Sequence, residues 1–146
     1  MKNLGFSIIE IIGVVAIIAI LGGISVPVIT KYSQSLTLNN EGQKIVSQLR
    51  LAQQLAVSEQ IKYSIQFNTI SNYYSLIKES PTTTLETFQL PPQLTFINLT
   101  GFLNNKVTYN AIGAVDFEGQ VTLHHTNGQN LIIQVKPSGY VTKIKL

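Results

Sequence analysis

The chain has 146 residues, enough for one small globular domain beside a membrane-length segment. Hydrophobic residues make up 45% of it and charged residues only 12%, with ten Lys and Arg against seven Asp and Glu and a net charge of +3. Because the basic residues do not form a run, the sequence lacks the clustered cations typical of nucleic-acid binding. The absence of cysteine excludes disulfides, thiolate zinc sites and cysteine nucleophiles.

The first predicted element is an apolar helix of membrane length that contains a single acid. Every residue from Ile8 to Ile24 except Glu10 is apolar or glycine. The stretch from Phe6 to Pro27 covers the roughly 20 residues that a membrane-spanning helix needs. An ionisable side chain at membrane depth costs about 3 kcal/mol, so Glu10 indicates a functional role that involves a partner.

A secretory signal and a plain membrane anchor are the simpler interpretations of this segment. The charged region around Lys2 is very short, Glu10 interrupts the apolar run, and no Ala-x-Ala-like cleavage pattern follows. A plain anchor gives no reason for Glu10. With Lys2 on the cytoplasmic side, the positive-inside preference places the rest of the chain outside the cytoplasm.

The segment around Gly22, Gly23 and Pro27 weakens the helix where it would leave the membrane. Proline removes a backbone hydrogen bond, and each glycine costs about 1 kcal/mol of helix propensity. These residues predict a helix kink.

From Val28 to about Glu59 the helix is predicted to continue as an amphipathic one. A stripe suited to docking on a sheet has spacings of four, three and four residues, and its members are Ile45, Leu49, Ala52 and Ala56. The run Asn39–Gly42 is a weak point where the helix kinks or restarts. A continuous helix from Phe6 would be about 80 Å long, far longer than a domain of this size would house.

Period-two patterns predict strands after Gln60. Apolar residues alternate over 61–67 and recur over 73–77, whereas Pro81, a threonine run and Pro91-Pro92 predict a long loop over Ser80–Gln93.

The clearest hairpin lies near the end of the chain, where residues 121–123 and 131–135 flank Asn127-Gly128, a dipeptide typical of type I′ turns. Pro137-Ser138-Gly139 then leads into a last strand. The predicted fold class is α+β: a long N-terminal α-helix, with a membrane-spanning half and an amphipathic half, packed on a predominantly antiparallel β-sheet.

The hexapeptide Gly5-Phe6-Ser7-Ile8-Ile9-Glu10 and the apolar run after it resemble the class III signal of type IV pilins and type II secretion pseudopilins. The resemblance implies that residues 1–5 form a leader, which a prepilin peptidase removes by cutting between Gly5 and Phe6. The new amine of Phe6 would be methylated, giving N-methylphenylalanine. Residues 6–29 would span the membrane and then enter a filament core, and residues 30–146 would form the extracytoplasmic domain.

The same resemblance implies a role for Glu10 and a set of partners. The Glu10 carboxylate would pair with the Phe6 amine of a neighbouring subunit and fix the axial register of the filament. The segment around Gly22, Gly23 and Pro27 would bend or partly melt during assembly. Before assembly the protein would cross the inner membrane once, in contact with lipid, with its N-terminus in the cytoplasm. Its partners would be other pilin or pseudopilin subunits, the prepilin peptidase and the inner-membrane assembly platform.

The segment Leu49–Ala56 is similar to the L-x-x-A-R-x-x-A helix of the GspH/FimT group of minor pilins, with Gln53 in place of the usual arginine. The register of this match can be set in two ways. The last strands also resemble those of that group. The sequence therefore favours a structural subunit, and a minor one, of a type IV pilus or a type II secretion pseudopilus.

A DNA-binding minor pilin of a competence pilus is the alternative function. Some members of the group take up DNA through arginines near the C-terminus, where this chain has Lys143 and Lys145, with Lys136 and Tyr140 close by in sequence. These four residues are the candidate DNA contacts. An edge strand guarded by lysines against aggregation is the simpler interpretation, and the sequence favours it.

Other chemistry is not indicated. Neighbouring residues of a strand point to opposite faces, so His124 and His125 cannot chelate one metal ion. No nucleophile–histidine–acid set and no phosphate-binding loop can be recognised. We therefore expect no enzyme activity, no catalytic residues, no metal and no cofactor.

Overall fold

The computed structural model describes residues 7–145, with side chains for all of these except residues 24–28, 31 and 145. The chain begins with one α-helix, α1 (Ile8–Glu59), and a short 3₁₀ turn occupies Leu103–Asn105. The strands are β1 (Tyr63–Asn68), β2 (Tyr73–Glu79), β3 (Thr82–Gln89), β4 (Leu94–Thr100), β5 (Lys106–Tyr109), β6 (Gly119–His125), β7 (Asn130–Val135) and β8 (Val141–Lys145). The residues group into two units, Met1–Ser35 and Leu36–Leu146.

The strands form two four-stranded sheets in which every pairing is antiparallel. The first sheet has the order β3-β2-β1-β5 and the second has the order β4-β6-β7-β8. The ring of Phe67 in β1 meets the ring of Phe96 in β4 edge to face, with 5.4 Å between centroids, so the two sheets share one core. The predicted α+β class, a long helix packed on antiparallel sheet, is confirmed.

The docking stripe of the helix is confirmed. Ile45, Leu49, Ala52 and Ala56 are all fully buried in the core that contains side chains of both sheets. The helix does not end or restart at Asn39–Gly42, because α1 runs through this stretch.

Gly42 lies at a close approach of α1 to the second sheet. A Cβ atom at this position would lie 2.0 Å from Cδ2 of Leu131 in β7, well inside van der Waals contact. Leu131 itself is fully buried. Glycine has a low helix propensity, but close packing against Leu131 favours it at position 42.

The predicted loop over Ser80–Gln93 is wrong, because Thr82–Gln89 forms strand β3 at the edge of the first sheet. Nearly every residue of β3 is exposed on both faces, so the strand lacks the apolar alternation by which strands are recognised. Its threonines are β-branched and suit extended backbone. The register shifts between Leu76 and Ile77 of β2, which leaves Leu85 of β3 as an unpaired bulge residue.

The predicted hairpin of β6 and β7 is confirmed, but the predicted type I′ turn is wrong. A type I′ turn needs positive φ at both central residues, whereas here Gly128 has a φ of +91° and Asn127 is not in that region. The Gly128 N–H donates to the His125 carbonyl at 2.8 Å, and the His125 N–H donates to the Gln129 carbonyl at 2.9 Å. This pattern fits a three-residue loop that ends in a glycine bulge.

A polar network on the first sheet is centred on Glu79. The Lys106 ammonium lies 2.7 Å from Oε1 of Glu79, and the buried hydroxyl of Ser64 donates to the same oxygen. Partial burial by itself raises the pKa of this carboxyl. The hydrogen bonds from Lys106 and Ser64 and the charges of Lys106 and Lys62 outweigh burial, so the pKa of Glu79 lies below its usual value.

Substitution of Gly42 by alanine tests the close helix–sheet contact. We expect Gly42→Ala to lower the free energy of unfolding by about 1–3 kcal/mol, because overpacking against Leu131 outweighs a gain of about 1 kcal/mol in helix propensity. Denaturant unfolding of the full chain in detergent micelles, followed by circular dichroism, measures the change. Gly13→Ala is the control, because a Cβ there meets nothing within 4 Å. Equal stability of Gly42→Ala and wild type would contradict the contact.

The Glu79 network predicts a pH dependence of stability. Since the folded-state pKa of Glu79 is lowered, its ionised form stabilises the fold above the unfolded-state pKa of about 4.3. This contribution is lost as the pH falls below that value. The difference in unfolding free energy between wild type and Glu79→Gln should therefore shrink between pH 7 and pH 3, as measured by urea titrations. A difference that stays constant over this range would argue against the network.

Candidate functional site

The predicted assembly site begins with Glu10 in the first turn of α1. The Ser7 carbonyl accepts hydrogen bonds from the N–H groups of Glu10 at 3.0 Å and Ile11 at 3.3 Å, so the helix begins directly after Ser7. A carboxylate in the first turn interacts favourably with the helix dipole. Its side chain is exposed and makes no ion pair or hydrogen bond with any residue that the structure describes. Gly5 and Phe6 lie outside the described residues.

The helix around Glu10 presents an apolar surface on all sides. Ten isoleucine, valine and leucine side chains between Ile8 and Leu21 are each more than half exposed. Apolar surfaces of this extent are characteristic of contacts with other proteins or with lipid. In the part of the chain with described side chains, no helix has the length and hydropathy of a membrane span.

The predicted kink residues lie within α1, which continues through Gly22, Gly23 and Pro27. A Cβ atom at either glycine would meet nothing within 4 Å. Close packing inside the described chain therefore does not explain these glycines, and their role in bending or melting the helix stays a prediction.

Gln53 connects α1 to two loops of the domain. Its Nε2 donates to the Gly113 carbonyl at 2.8 Å and lies 3.5 Å from the Ser138 carbonyl. Gly113 belongs to the connection between β5 and β6, and Ser138 belongs to the turn between β7 and β8. The side chain that stands where the resembling group has arginine thus donates to both loops, a role for which the N–H groups of arginine are also suited.

The turn before β8 is packed tightly against the same loop. Gly139 has a φ of +81°, and a Cβ atom there would lie 2.2 Å from the Gly113 carbonyl oxygen. The Val115 N–H donates to the Pro137 carbonyl at 3.0 Å. Gln53 and these contacts fix the start of the last strand relative to the helix.

The candidate DNA contacts make two separate interactions within the chain. The Lys143 ammonium lies 3.3 Å from Oε1 of Gln43 in α1. The Lys136 ammonium lies 6.0 Å from the ring centroid of Tyr140, at the turn that precedes β8. Lys143 lies three positions after Tyr140, which corresponds to about 10 Å in extended backbone. The backbone of Lys145 pairs with Leu131, and its side chain is outside the described part.

The two histidines have different surroundings. Nδ1 of His124 lies 2.7 Å from Oδ1 of Asn130 in the paired strand, and the ring is half-buried. His125 is buried, and its Nδ1 accepts a hydrogen bond of 3.1 Å from the Asn127 N–H in the hairpin loop. Among the described residues, no group of three histidine or acidic side chains is placed to hold a metal ion.

Solved structures with the same fold include two secretion and pilus proteins. The minor pseudopilin EpsH from the type 2 secretion system of Vibrio cholerae has a TM-score of 0.64 and 8% identity, over 74% of this chain and 96% of its own. The type IV minor pilin FimU of Pseudomonas aeruginosa has a TM-score of 0.61 and 16% identity, over 76% of this chain and 90% of its own. The resemblance to pilins and pseudopilins is thereby confirmed at the level of the fold. No protein-family model and no curated protein matches the sequence.

Sequence patterns did not indicate the structural roles of Gly42 and Gln53. The signal for Gln53 was its place in the Leu49–Ala56 segment, where it replaces a donor side chain. The only sequence feature at Gly42 was a glycine between a polar run and the buried stripe. The same feature is also typical of a helix break.

Two substitutions of Gln53 test its bridging role. Gln53→Ala removes the donor to the Gly113 carbonyl and should lower the free energy of unfolding by about 1–2 kcal/mol. Gln53→Arg retains N–H donors at this position and should lose less. Denaturant unfolding of the full chain in micelles gives both values. Equal losses in the two variants would contradict a role for the donated hydrogen bonds.

Proposed function

We propose that this protein is a structural, non-enzymatic subunit, a minor one, of a type IV pilus or a type II secretion pseudopilus. The observation that carries the proposal is the exposed apolar helix with Glu10 in its first turn, joined to a domain with the fold of minor pilins and pseudopilins. An apolar surface on all sides of residues 8–21 suits contact with lipid before assembly and with neighbouring helices afterwards.

The proposed sequence of events starts at the inner membrane. Residues 6–29 span it once, with the N-terminus in the cytoplasm and residues 30–146 on the other side. Prepilin peptidase then removes residues 1–5 by cutting between Gly5 and Phe6 and methylates the Phe6 amine. The assembly platform moves the processed subunit from the membrane into the filament, where its apolar helix packs among the helices of other subunits.

Glu10 has a defined energetic role in this scheme. Its carboxylate makes no ion pair within the described chain, and ten large apolar side chains follow or flank it. In a bundle of such helices an unpaired carboxylate is strongly unfavourable, whereas pairing with the Phe6 amine of a neighbour satisfies both charges. Since the pair forms at only one axial offset, it fixes the register of the subunits.

DNA binding is the weaker alternative. Lys143 is directed to Gln43 of its own helix and Lys136 to Tyr140 of its own turn. Both contacts are also expected of lysines that cover a strand edge, and no arginine is present near the C-terminus.

If the protein is a filament subunit, the Glu10→Ala variant should be processed normally but assembled poorly. The variant should lose its leader at the wild-type rate, because residues 5 and 6 are unchanged. Its incorporation into filaments should fall about tenfold or more, because the Phe6 amine of the neighbour is left without a partner. Mass spectrometry of the N-terminus measures processing, and immunoblots of sheared filaments from the native host measure incorporation.

Two controls accompany this experiment. Glu118→Ala removes an exposed carboxylate elsewhere and should leave both measurements unchanged. Gly5→Ala should block leader removal itself. Normal incorporation of Glu10→Ala, or a Phe6 N-terminus in Gly5→Ala, would overturn the corresponding step.

A further inference from the structure

An open cleft of about 340 Å³ lies between the last turns of α1 and the loop that connects β5 to β6. Its apolar side chains are Val57 of the helix and Ile112 of the loop, which are 45% and 83% exposed. The rest of the lining is polar or glycine: Gln53, Gln54, Ser58 and Gly113. The whole cleft belongs to the unit that begins at Leu36.

The loop holds the backbone of Ile112 in place although the side chain of this residue faces mostly solvent. Oδ1 of Asn110 accepts hydrogen bonds from the N–H groups of Ile112 and Ala114, each at 3.1 Å. From the helix, Nε2 of Gln53 donates to the Gly113 carbonyl at 2.8 Å. Because the loop is already ordered, little conformational freedom is lost when a partner covers Ile112.

A cation without a partner lies on the same face of α1. Arg50 is the only arginine of the chain and is exposed. It precedes Gln54 by four residues and Val57 by seven, a spacing that places the three on one side of a helix. Among the cationic side chains that the structure describes, Arg50 alone makes no ion pair, hydrogen bond or ring contact. The others contact groups of their own chain: Lys44, Lys62, Lys78, Lys106, Lys136 and Lys143.

An apolar cleft beside one free guanidinium defines the chemistry of a partner. Burial of Val57 and Ile112 favours an apolar side chain in the cleft. The Arg50 guanidinium suits a carboxylate, which it can bind through two parallel hydrogen bonds. A nucleic-acid backbone would require several neighbouring cations, whereas the cleft itself is lined by none. The matching surface is therefore a protein segment whose apolar side chain and carboxylate are about 10 Å apart, the axial distance from Arg50 to Val57.

We propose that this cleft docks a different subunit of the filament. An apolar side chain of that subunit contacts Val57 and Ile112, and one of its carboxylates pairs with Arg50. A minor subunit is surrounded by subunits of other kinds, so the contact joins unlike chains. Since the partner is a subunit of the same filament, the inference rests on the proposed function.

Zero-length cross-linking of filaments sheared from the native host tests the charge pair. Arg50→Lys keeps the positive charge and supplies an amine, which a carbodiimide joins to a carboxylate in direct contact. Tandem mass spectrometry should find an amide between position 50 and an Asp or Glu of a different pilin or pseudopilin subunit. Thr83→Lys, which supplies an exposed amine on strand β3, is the control and should form no amide with that residue.

Substitutions in the cleft connect the contact with assembly. Arg50→Glu and Ile112→Ser should each lower the amount of this chain in sheared filaments about fivefold, as measured by immunoblot. Ile70→Ser is the matched control and should have no effect. Ile70 is 92% exposed, and its N–H also donates to an asparagine Oδ1 of its own turn. Lysine in place of the partner carboxylate found by cross-linking should restore the incorporation of Arg50→Glu.

Four results would overturn the proposal: no amide from position 50 to any protein carboxylate, an amide only to a second copy of this chain, unchanged incorporation of Arg50→Glu and Ile112→Ser, or no restoration by the partner lysine. The Glu10→Ala assay separates this failure from failure of the filament role. Incorporation that depends on Glu10 but not on Arg50 or Ile112 would remove only the cleft contact. Absence of the wild-type chain from sheared filaments would overturn the filament role and the cleft contact together.

Discussion

The close approach of α1 to the second sheet at Gly42 is the constraint on which the domain depends. Without a side chain at this position, the helix backbone comes near enough for Leu131 of β7 to fill the space directly. Ala52 and Ala56 of the buried stripe are also small, and they extend the close helix–sheet packing toward the end of the helix. At that end Gln53 donates to the Gly113 and Ser138 carbonyls in two loops, so the start of the last strand is held against the helix.

The parts of the fold that follow a periodic apolar pattern could be predicted from the sequence. The stripe of α1 and the strands of the β6–β7 hairpin each bury one face, so their residues alternate at the helical or the strand period. Strand β3 buries neither face, so it has no apolar alternation, and its threonines and the neighbouring prolines predicted a loop instead. The turn type was missed because Asn127-Gly128 does not by itself determine the loop length. Strands β4 and β5 were not anticipated by these patterns.

Sites could likewise be predicted from the sequence only where their residues are contiguous in the chain. The segment Gly5–Glu10 is contiguous, so its residue types and spacing can be recognised directly. A groove between α1 and the β2–β3 edge combines Glu41 with Tyr74 and Phe88, which are far apart in sequence and come together only when the helix docks. No local pattern indicates such a site.

The bulge at Leu85 has a consequence for solubility at high local concentration. Strand β3 is eight residues long, lies at the edge of its sheet, and contains neither lysine nor proline, the residues that usually protect an exposed edge. The bulge interrupts the regular spacing of backbone N–H and C=O groups along β3. A second strand could therefore pair regularly with β3 only before the bulge or only after it. The unpaired Leu85 therefore makes the edge of β3 a poorer template for the addition of another strand.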